Sequence, residues 1–312
     1  MSKPNRNRLR RLLVEQMENR RLLATIDLAA LNAADGSTIF GANQFARSGY
    51  SVRNAGDVNR DGFDDVIIGA LIADGSGNTA TKRDESYLIF GAASISASID
   101  LANLGSAGIT IIGAEITDYS GSSVSGAGDV NGDGFDDLVV GAYSADAMGN
   151  LKRFAGESYI IFGAASLPPT IDLANLGSRG VTLFGADAYD QSGVSVSSAG
   201  DVNGDGFDDL VIGAPRADAA GNSKPNAGET YLIFGSASLP ATIDLANLGS
   251  AGSTISGTYS GEYSGISLSE AGDVNGDGFD DFVIGVNSAN HFGRTGAGKS
   301  YLIFGASPFP AS

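Results

Sequence analysis

Asp129, Asn131, Asp133 and Asp137 stand at positions 1, 3, 5 and 9 of the segment DVNGDGFDD. Oxygen-bearing side chains at alternate positions converge on one point if the chain turns sharply, and Gly134 at position 6 permits that turn. The main-chain carbonyl of Phe135, at position 7, adds another oxygen. Hard oxygens at this density suit Ca²⁺, which accepts many oxygen ligands in flexible geometry; Mg²⁺ fits less well because it keeps its waters. The same ligand pattern recurs at Asp57, Asn59, Asp61, Phe63 and Asp65, at Asp201, Asn203, Asp205, Phe207 and Asp209, and at Asp273, Asn275, Asp277, Phe279 and Asp281. The expectation is up to four structural Ca²⁺ ions. The competing reading is an acidic surface turn, since Asp, Asn and Gly are ordinary turn residues. That reading leaves four aspartates per turn repelling one another without a cation.

The end of the segment separates it from a helical EF-hand. Position 12 is Ile68, Val140, Ile212 or Ile284 rather than Glu, so Asp at position 9 would close the site at the start of a strand. This describes a calcium turn inside a β-hairpin. Arg60 replaces Gly at position 4 of the first copy; it either competes with the metal or points outward. Asp64, Asp136, Asp208 and Asp280, at position 8, are expected to face away and add only field.

The elements that must position these turns repeat with them. Asp57, Asp129, Asp201 and Asp273 are each 72 residues apart, and each turn is followed by a phrase such as YLIFG at Tyr87 or YIIFG at Tyr159. A third phrase, IDLANLGS, starts at Ile99, Ile171 and Ile243, with a degenerate copy at Ile26. In the second copy the strand-like runs are ITIIGA (109–114), SSVSGAG (122–128), DLVVGA (137–142) and SYIIFG (158–163). They are short, β-branched or aromatic, and bounded by Gly, Ser, Asn or Asp. IDLANLGS has room for a single helical turn. Four strands per repeat predict an all-β propeller of four blades, with a parallel β-helix as the competing fold. The repeats are placed at about 37–91, 109–163, 181–235 and 253–305 within a domain of 25–307, after a basic segment of 1–24 and before a tail of 308–312. The first strand-like run, STIFGA (37–42), could complete the sheet that ends in YLIFG (301–305). A closed ring would remove the open edges; a partial propeller or arc is the alternative.

Bulk composition narrows the function. The net charge is −17; residues 1–23 carry +5, so the remainder carries −22, of which the four turns supply −16. Such a chain is not expected to bind nucleic acid. There is no Cys, which excludes disulfides and thiol chemistry, and no apolar run reaches the ~18 residues of a membrane span.

The segments SGVSVSSAGDVNGDGFDDLVIGAP (192–215) and AGETYLIFG (227–235) resemble the FG-GAP repeats of the integrin α-subunit β-propeller and its bacterial relatives. The resemblance implies that the acidic turn joins the first two strands of a blade and binds Ca²⁺ through the residues named above. It also implies a seven-bladed ring, whereas four repeats are present. The "FG" of the motif is Ser-Gly at Ser48, Ser120, Ser192 and Ser264, and "GAP" is whole only at 213–215. The segment LVEQMENRRLLA (13–24) is similar to the LEPR-xLL motif near the start of large exported bacterial proteins; Leu9, Leu12, Leu13 and Met17 fall on one helical face.

These features predict a calcium-stabilised extracellular module that adheres to a protein or polysaccharide at the cell surface. Near-identical repeats fit almost as well a structural surface protein without a discrete ligand. A homo-oligomer completing a larger propeller is a further possibility. No enzyme is expected, a calcium-dependent hydrolase being the alternative: the single His, His291, lies in a divergent loop, and paired carboxylates occur only in the turns. Recognition is assigned to the long loops 71–85, 143–157, 215–229 and 287–299, where Tyr143, Met148, Phe154, Arg216, His291 and Phe292 lie.

Overall fold

The computed structural model describes residues 28–32, 35–71, 83–290 and 292–310. The basic segment 1–24, most of the loop 71–85 and His291 therefore lie outside the described residues.

Each apolar run becomes a strand, and each Gly/Asp-rich break becomes a turn. The first blade is an antiparallel sheet of Ser48–Gly56, Asp65–Ala70, Glu85–Ile89 and Gly108–Ile112, in that order from the inside outward. The second consists of Ser120–Gly128, Asp137–Ala142, Glu157–Ile161 and Gly180–Phe184. The third consists of Ser195–Gly200, Asp209–Ala214, Glu229–Ile233 and Gly252–Ser256. The fourth has three strands, Ser267–Gly272, Asp281–Val286 and Lys299–Ile303. The chain is thus all-β and propeller-like.

The expected ring closure is not formed. The opening strand, Thr38–Phe40, pairs in parallel with Ser98–Asp100, Thr38 lying opposite Ser98, and not with Lys299–Ile303. The same parallel addition occurs where Thr170–Asp172 joins the outer edge of the first blade and Thr242–Asp244 joins that of the second. IDLANLGS therefore opens with the last two residues of a three-residue strand and only then turns helical. The carboxylate of Asp100, Asp172 or Asp244 accepts from the N–H two residues on, at 3.0–3.1 Å, and opens a short 3-10 turn.

The core lies between blades. Ile67 and Leu88 on one face of the first blade meet Leu138, Val140 and Tyr159 of the second, all essentially solvent-free. Val139 and Ile160 of the second meet Leu210, Ile212 and Tyr231 of the third. Burying each such aliphatic side chain contributes about 1.5–3 kcal/mol. Close approach is enforced at the inner strands: Ser51, Ser123 and Ser195 each donate their hydroxyl, at 2.7 Å, to the carbonyl of Gly121, Gly193 or Gly265 in the next blade. The same carbonyls leave no room beside Gly69, Gly141 and Gly213, where a Cβ would sit 1.9, 2.3 and 2.1 Å away.

Overpacking against a backbone atom costs about 1–3 kcal/mol. Gly141→Ala should therefore lower stability to urea by about 2 kcal/mol. Gly285→Ala in the fourth blade should lower the stability of the single chain much less, because its Cβ would come within 3 Å only of the rotatable Ser267 hydroxyl, the Ser267 carbonyl lying 3.3 Å away. Equal losses would show that the blade joints do not require these glycines.

Candidate metal centre and recognition face

In each acidic turn the side chains at positions 1, 3 and 5 fold inward over the same stretch of backbone. Asp129 accepts from the N–H groups of Asp133 (3.0 Å) and Gly134 (2.9 Å), Asn131 from Asp133 (2.8 Å), and Asp133 from Phe135 (3.0 Å). Asp57, Asn59 and Asp61 repeat this pattern, as do Asp201, Asn203 and Asp205. Asp273, Asn275 and Asp277 complete the set. Gly62, Gly134, Gly206 and Gly278 at position 6 have φ of +89° to +93°, a conformation that costs other residues energy. In the first two turns each inward oxygen accepts one such bond and keeps a free lone pair. In the third and fourth, Oδ1 of Asp201 and of Asp273 accepts a second, from Gly204 or Gly276 (2.7 Å), and the free lone pairs are on the other inward oxygens. Carboxylates, a carboxamide and the carbonyl of Phe63, Phe135, Phe207 or Phe279 form an all-oxygen donor set whose chemistry fits a hard cation such as Ca²⁺. Among the described residues, no three carboxylate or His side chains alone converge tightly enough to hold an ion.

Position 9 lies beneath the turn. Asp65, Asp137, Asp209 and Asp281 are completely buried. One oxygen of Asp137 accepts from Val130 N–H at 3.1 Å and the other from Gly163 N–H at 2.8 Å, joining the turn to the end of the third strand. The other three make the same pair of bonds. Burial pushes the carboxyls of Asp65, Asp209 and Asp137 up to about 6, 7 and 8, and the inward aspartates of the same turns add to that push. A cation in the turn would oppose it.

Position 8 corrects the sequence reading. Asp136, Asp208 and Asp280 do not face away; each reaches the preceding blade and accepts from the N–H of Asp57 (2.7 Å), Asp129 (2.8 Å) or Asp201 (3.0 Å). Gly56, Gly128 and Gly200 leave space for that carboxylate, which a Cβ would approach to 2.1–2.3 Å. Arg60 points out of its own turn, with its guanidinium 5.9 Å from the centre of the Phe135 ring in the second blade. At the later joints the Phe ring packs instead on a position-4 glycine, Gly132 or Gly204.

The opposite end of the blades carries the long loops. Those of the second and third blades are held, not loose: Asp146 accepts from Phe154 N–H (2.7 Å) and Asp218 from Asn226 N–H (2.8 Å). Tyr143 and Arg216 come together in a cleft of about 470 Å³ with Tyr50, Gln191, Pro215 and Tyr263. Tyr143 stacks on Tyr119 with ring centres 5.4 Å apart. Phe154 packs elsewhere, against Tyr189 and under Arg153; Met148 and Phe292 are exposed and do not line the cleft. Sequence reasoning missed Tyr50, Gln191 and Tyr263, which lie outside the long loops. A signal was present for Gln191 and Tyr263: the residue before each Ser-Gly pair is Arg47, Tyr119, Gln191 or Tyr263, a variable site in a constant frame, and each has φ between +48° and +57°. Tyr50 follows its Ser-Gly pair, at another variable site that holds Ser122, Val194 and Ile266 in the other copies.

Comparison with known proteins gives a family and several relatives. The family described as FG-GAP repeat matches residues 120–161, 192–233 and 269–303, one segment in each of the second, third and fourth blades. The chain is 27% identical over 258 residues, 80% of its length, to integrin alpha pat-2 of Caenorhabditis elegans, of which the match covers 19%. It is 27% identical over 243 residues, 76% of its length, to integrin alpha-5 of Xenopus laevis, again covering 19% of that protein. It is also 34% identical over 181 residues, 58% of its length, to phosphatidylinositol-glycan-specific phospholipase D of Bos taurus, covering 20% of that protein. The chain thus spans about a fifth of the length of these relatives. No helix among the described residues is long and apolar enough to cross a membrane.

The joints also bury carboxylates on the loop side. Asp118 and Glu157 line a space of about 240 Å³ with Glu115 and Asp146. Burial pushes both carboxyls up to about 7; the charges of Glu157 and Glu115 add to the rise at Asp118. At the next joint burial, with Asp187 and Glu229 nearby, pushes Asp190 up to about 7. The corresponding place in the fourth blade holds a cation: Lys299 binds Glu262 at 2.7 Å. The folded chain grips the protons of Asp118, Glu157 and Asp190 more tightly than the unfolded chain does. The stability they confer is full below the ordinary carboxylate range and is lost as pH rises from about 4 to about 7. The thermal midpoint in chelator should accordingly fall between about pH 5 and 7.5. In Asp118→Asn with Asp190→Asn the fall should be shallower; an unchanged slope would remove these residues from the account.

Proposed function

We propose that the chain is an FG-GAP repeat module of the integrin alpha type, stabilised by Ca²⁺ and acting outside the cell in adhesion to a protein or glycan. The integrin alpha-like FG-GAP repeats suggest an adhesion or interaction module, and the site carries that reading further. One end of the molecule is constant and acidic, with the same inward oxygens in every turn. The other presents a cleft lined from all four repeats, in which equivalent positions carry different side chains: Tyr50, Ser122, Val194 and Ile266 at one, Tyr143 and Pro215 at another, Gln191 and Tyr263 at a third, with Arg216 beside them. That asymmetry is the observation on which the functional reading rests. A repeated scaffold fixes geometry, while tyrosines and arginine supply contact area and directed hydrogen bonds at modest entropic cost. The cleft lies within the usual size range of ligand sites.

In this proposal Asp129, Asn131, Asp133 and the Phe135 carbonyl, with their counterparts in the other turns, hold the ion. The buried position-9 carboxylate supports it from below. The cation supplies charge compensation and performs no bond chemistry.

Thermal unfolding of the full chain in chelator, then with rising Ca²⁺ or Mg²⁺, tests the metal. Extracellular calcium modules have Kd values of about 10⁻⁴–10⁻³ M, so binding of 1 mM Ca²⁺ to the folded state alone adds about 0.4–1.4 kcal/mol per site. Millimolar Ca²⁺ should raise the midpoint clearly, Mg²⁺ should not, and Asp133→Ala with Asp205→Ala should blunt the response. A midpoint indifferent to Ca²⁺ would sink the calcium reading.

Adhesion is tested separately by measuring the labelled chain on cell surfaces and polysaccharide arrays. Tyr143→Ala with Arg216→Ala should weaken retention by about tenfold or more, as expected for loss of contacts near 1.4 kcal/mol, without lowering the thermal midpoint. If no surface retains the chain, or the double variant is retained equally, the cleft is not the adhesive site.

A further inference from the structure

Three blade joints within the chain are built from the same parts, and each part has a giver and a receiver. A position-8 carboxylate takes the N–H that opens the preceding turn, as Asp136 does for Asp57. The residue after the Phe-Gly pair donates its N–H to the position-2 carbonyl of the preceding turn: Ala164 to Val58 (3.0 Å), Ser236 to Val130 (2.8 Å) and Ala306 to Val202 (2.9 Å). An inner-strand serine hydroxyl reaches the next blade's glycine carbonyl. A position-7 Phe ring covers position 4 of the preceding turn.

At the two ends of the array the halves stand apart. The first blade displays the leading half. Asp64 is exposed, Phe63 is 41% exposed, and the apolar face is open at Val52, 49% exposed, where its counterparts Val124 and Val196 are buried. The fourth blade displays the trailing half. Nothing lies within 4 Å of a Cβ at Gly272 or Gly276, whereas the equivalent positions at the three internal joints are occupied. Val274 is 55% exposed, although Val58, Val130 and Val202 at the same position are at most 1% exposed. Leu302 is 40% exposed where Leu88, Ile160 and Leu232 are buried. Lys299–Ile303 has no strand on its outer edge among the described residues, and Thr38–Phe40, equivalent to the fourth strand of the other blades, has no blade inside it.

We propose that these halves meet in a second copy of the chain, so that two four-blade arrays join head to tail at two equal joints and close a single eight-blade ring about a two-fold axis. The occupant is specified by the molecule itself, because each open half matches the chemistry of the internal joints part for part. Asp64 of the second copy caps Asp273 N–H, and its Thr38–Phe40 adds to Lys299–Ile303 in the register that places Thr182 opposite Tyr159. The fourth acidic turn is completed only by the second copy. A two-fold dimer with reciprocal contacts is a closed assembly, and eight blades lie within the range of known propellers.

Sedimentation equilibrium of the full chain over about 1–100 µM, a span that brackets the affinity of stable interfaces, should give twice the 31.6 kDa chain mass. Val52→Asp, which damages the leading half, and Leu302→Asp, which damages the trailing half, should each yield a monomer. Both sites are exposed in the single chain, so the circular dichroism spectrum and β-content should not change. Mixing the two variants restores one intact joint and should produce a 1:1 heterodimer that neither forms alone. A wild-type monomer throughout the range overturns the proposal, as do dimers that survive both substitutions, a mixture that stays monomeric, or polymers that grow without closing.

Discussion

A carboxylate with no access to water, spending both oxygens on backbone N–H groups, underlies every blade. Asp137 and its three counterparts tie the start of the acidic turn to the end of the third strand, across the hairpin they begin. Removing Asp137 would leave the Gly163 N–H unsatisfied and the Val130 N–H with only the Gly128 carbonyl, at 3.2 Å, a loss larger than the net worth of the bonds themselves. With this clamp in place, the turn can hold its inward oxygens, the position-8 aspartate can project toward the neighbouring blade, and Phe-Gly can present the next N–H for the joint. The acidity of the sequence is thus divided among three tasks. Position 9 organises a blade, position 8 joins blades, and positions 1, 3 and 5 gather oxygens in the turn.

Repetition, strand order and the inward turn residues were legible because they depend on local rules: apolar runs of strand length, glycine where φ must be positive, and oxygen at alternate positions. The role of position 8 was not legible. Asp136 finds its partner 79 residues away, and no pattern within one repeat reveals a contact made between repeats. The parallel strand Thr170–Asp172 escaped for a related reason. Three residues carry too little periodicity to read as a strand, and their order comes from the edge of another blade. The cleft was half visible. Tyr143 and Arg216 stood out as aromatic and cationic loop residues, but Tyr50 and Tyr263 reach it from the entrance to the inner strands, which a search confined to long loops passes over.

The joints are alike in their backbone bonds and unlike in their electrostatics. The two joints that end on Glu157 and Glu229 bury carboxylates beside one another, and a tyrosine hydroxyl donates to each of those glutamates. The joint that ends on Lys299 replaces one carboxylate with an ammonium group, held by Glu262 and lying 5.4 Å and 5.1 Å from the ring centres of Tyr259 and Tyr301. One architecture therefore tolerates opposite charges at an equivalent position, provided the surrounding groups change with it. The apolar faces and the glycine–carbonyl contacts, rather than any particular ion pair, are what the joints share.

The parallel strands also fix the order in which the molecule can be made. The outer edge of Gly108–Ile112 is covered by Thr170–Asp172, and that of Gly180–Phe184 by Thr242–Asp244. The first and second blades are each sealed by a segment that leaves the ribosome some sixty residues later, after the next blade's first three strands. Neither is finished by its own sequence. Growth of this part of the array is directional, with the second and third repeats each supplying the lid of the one before.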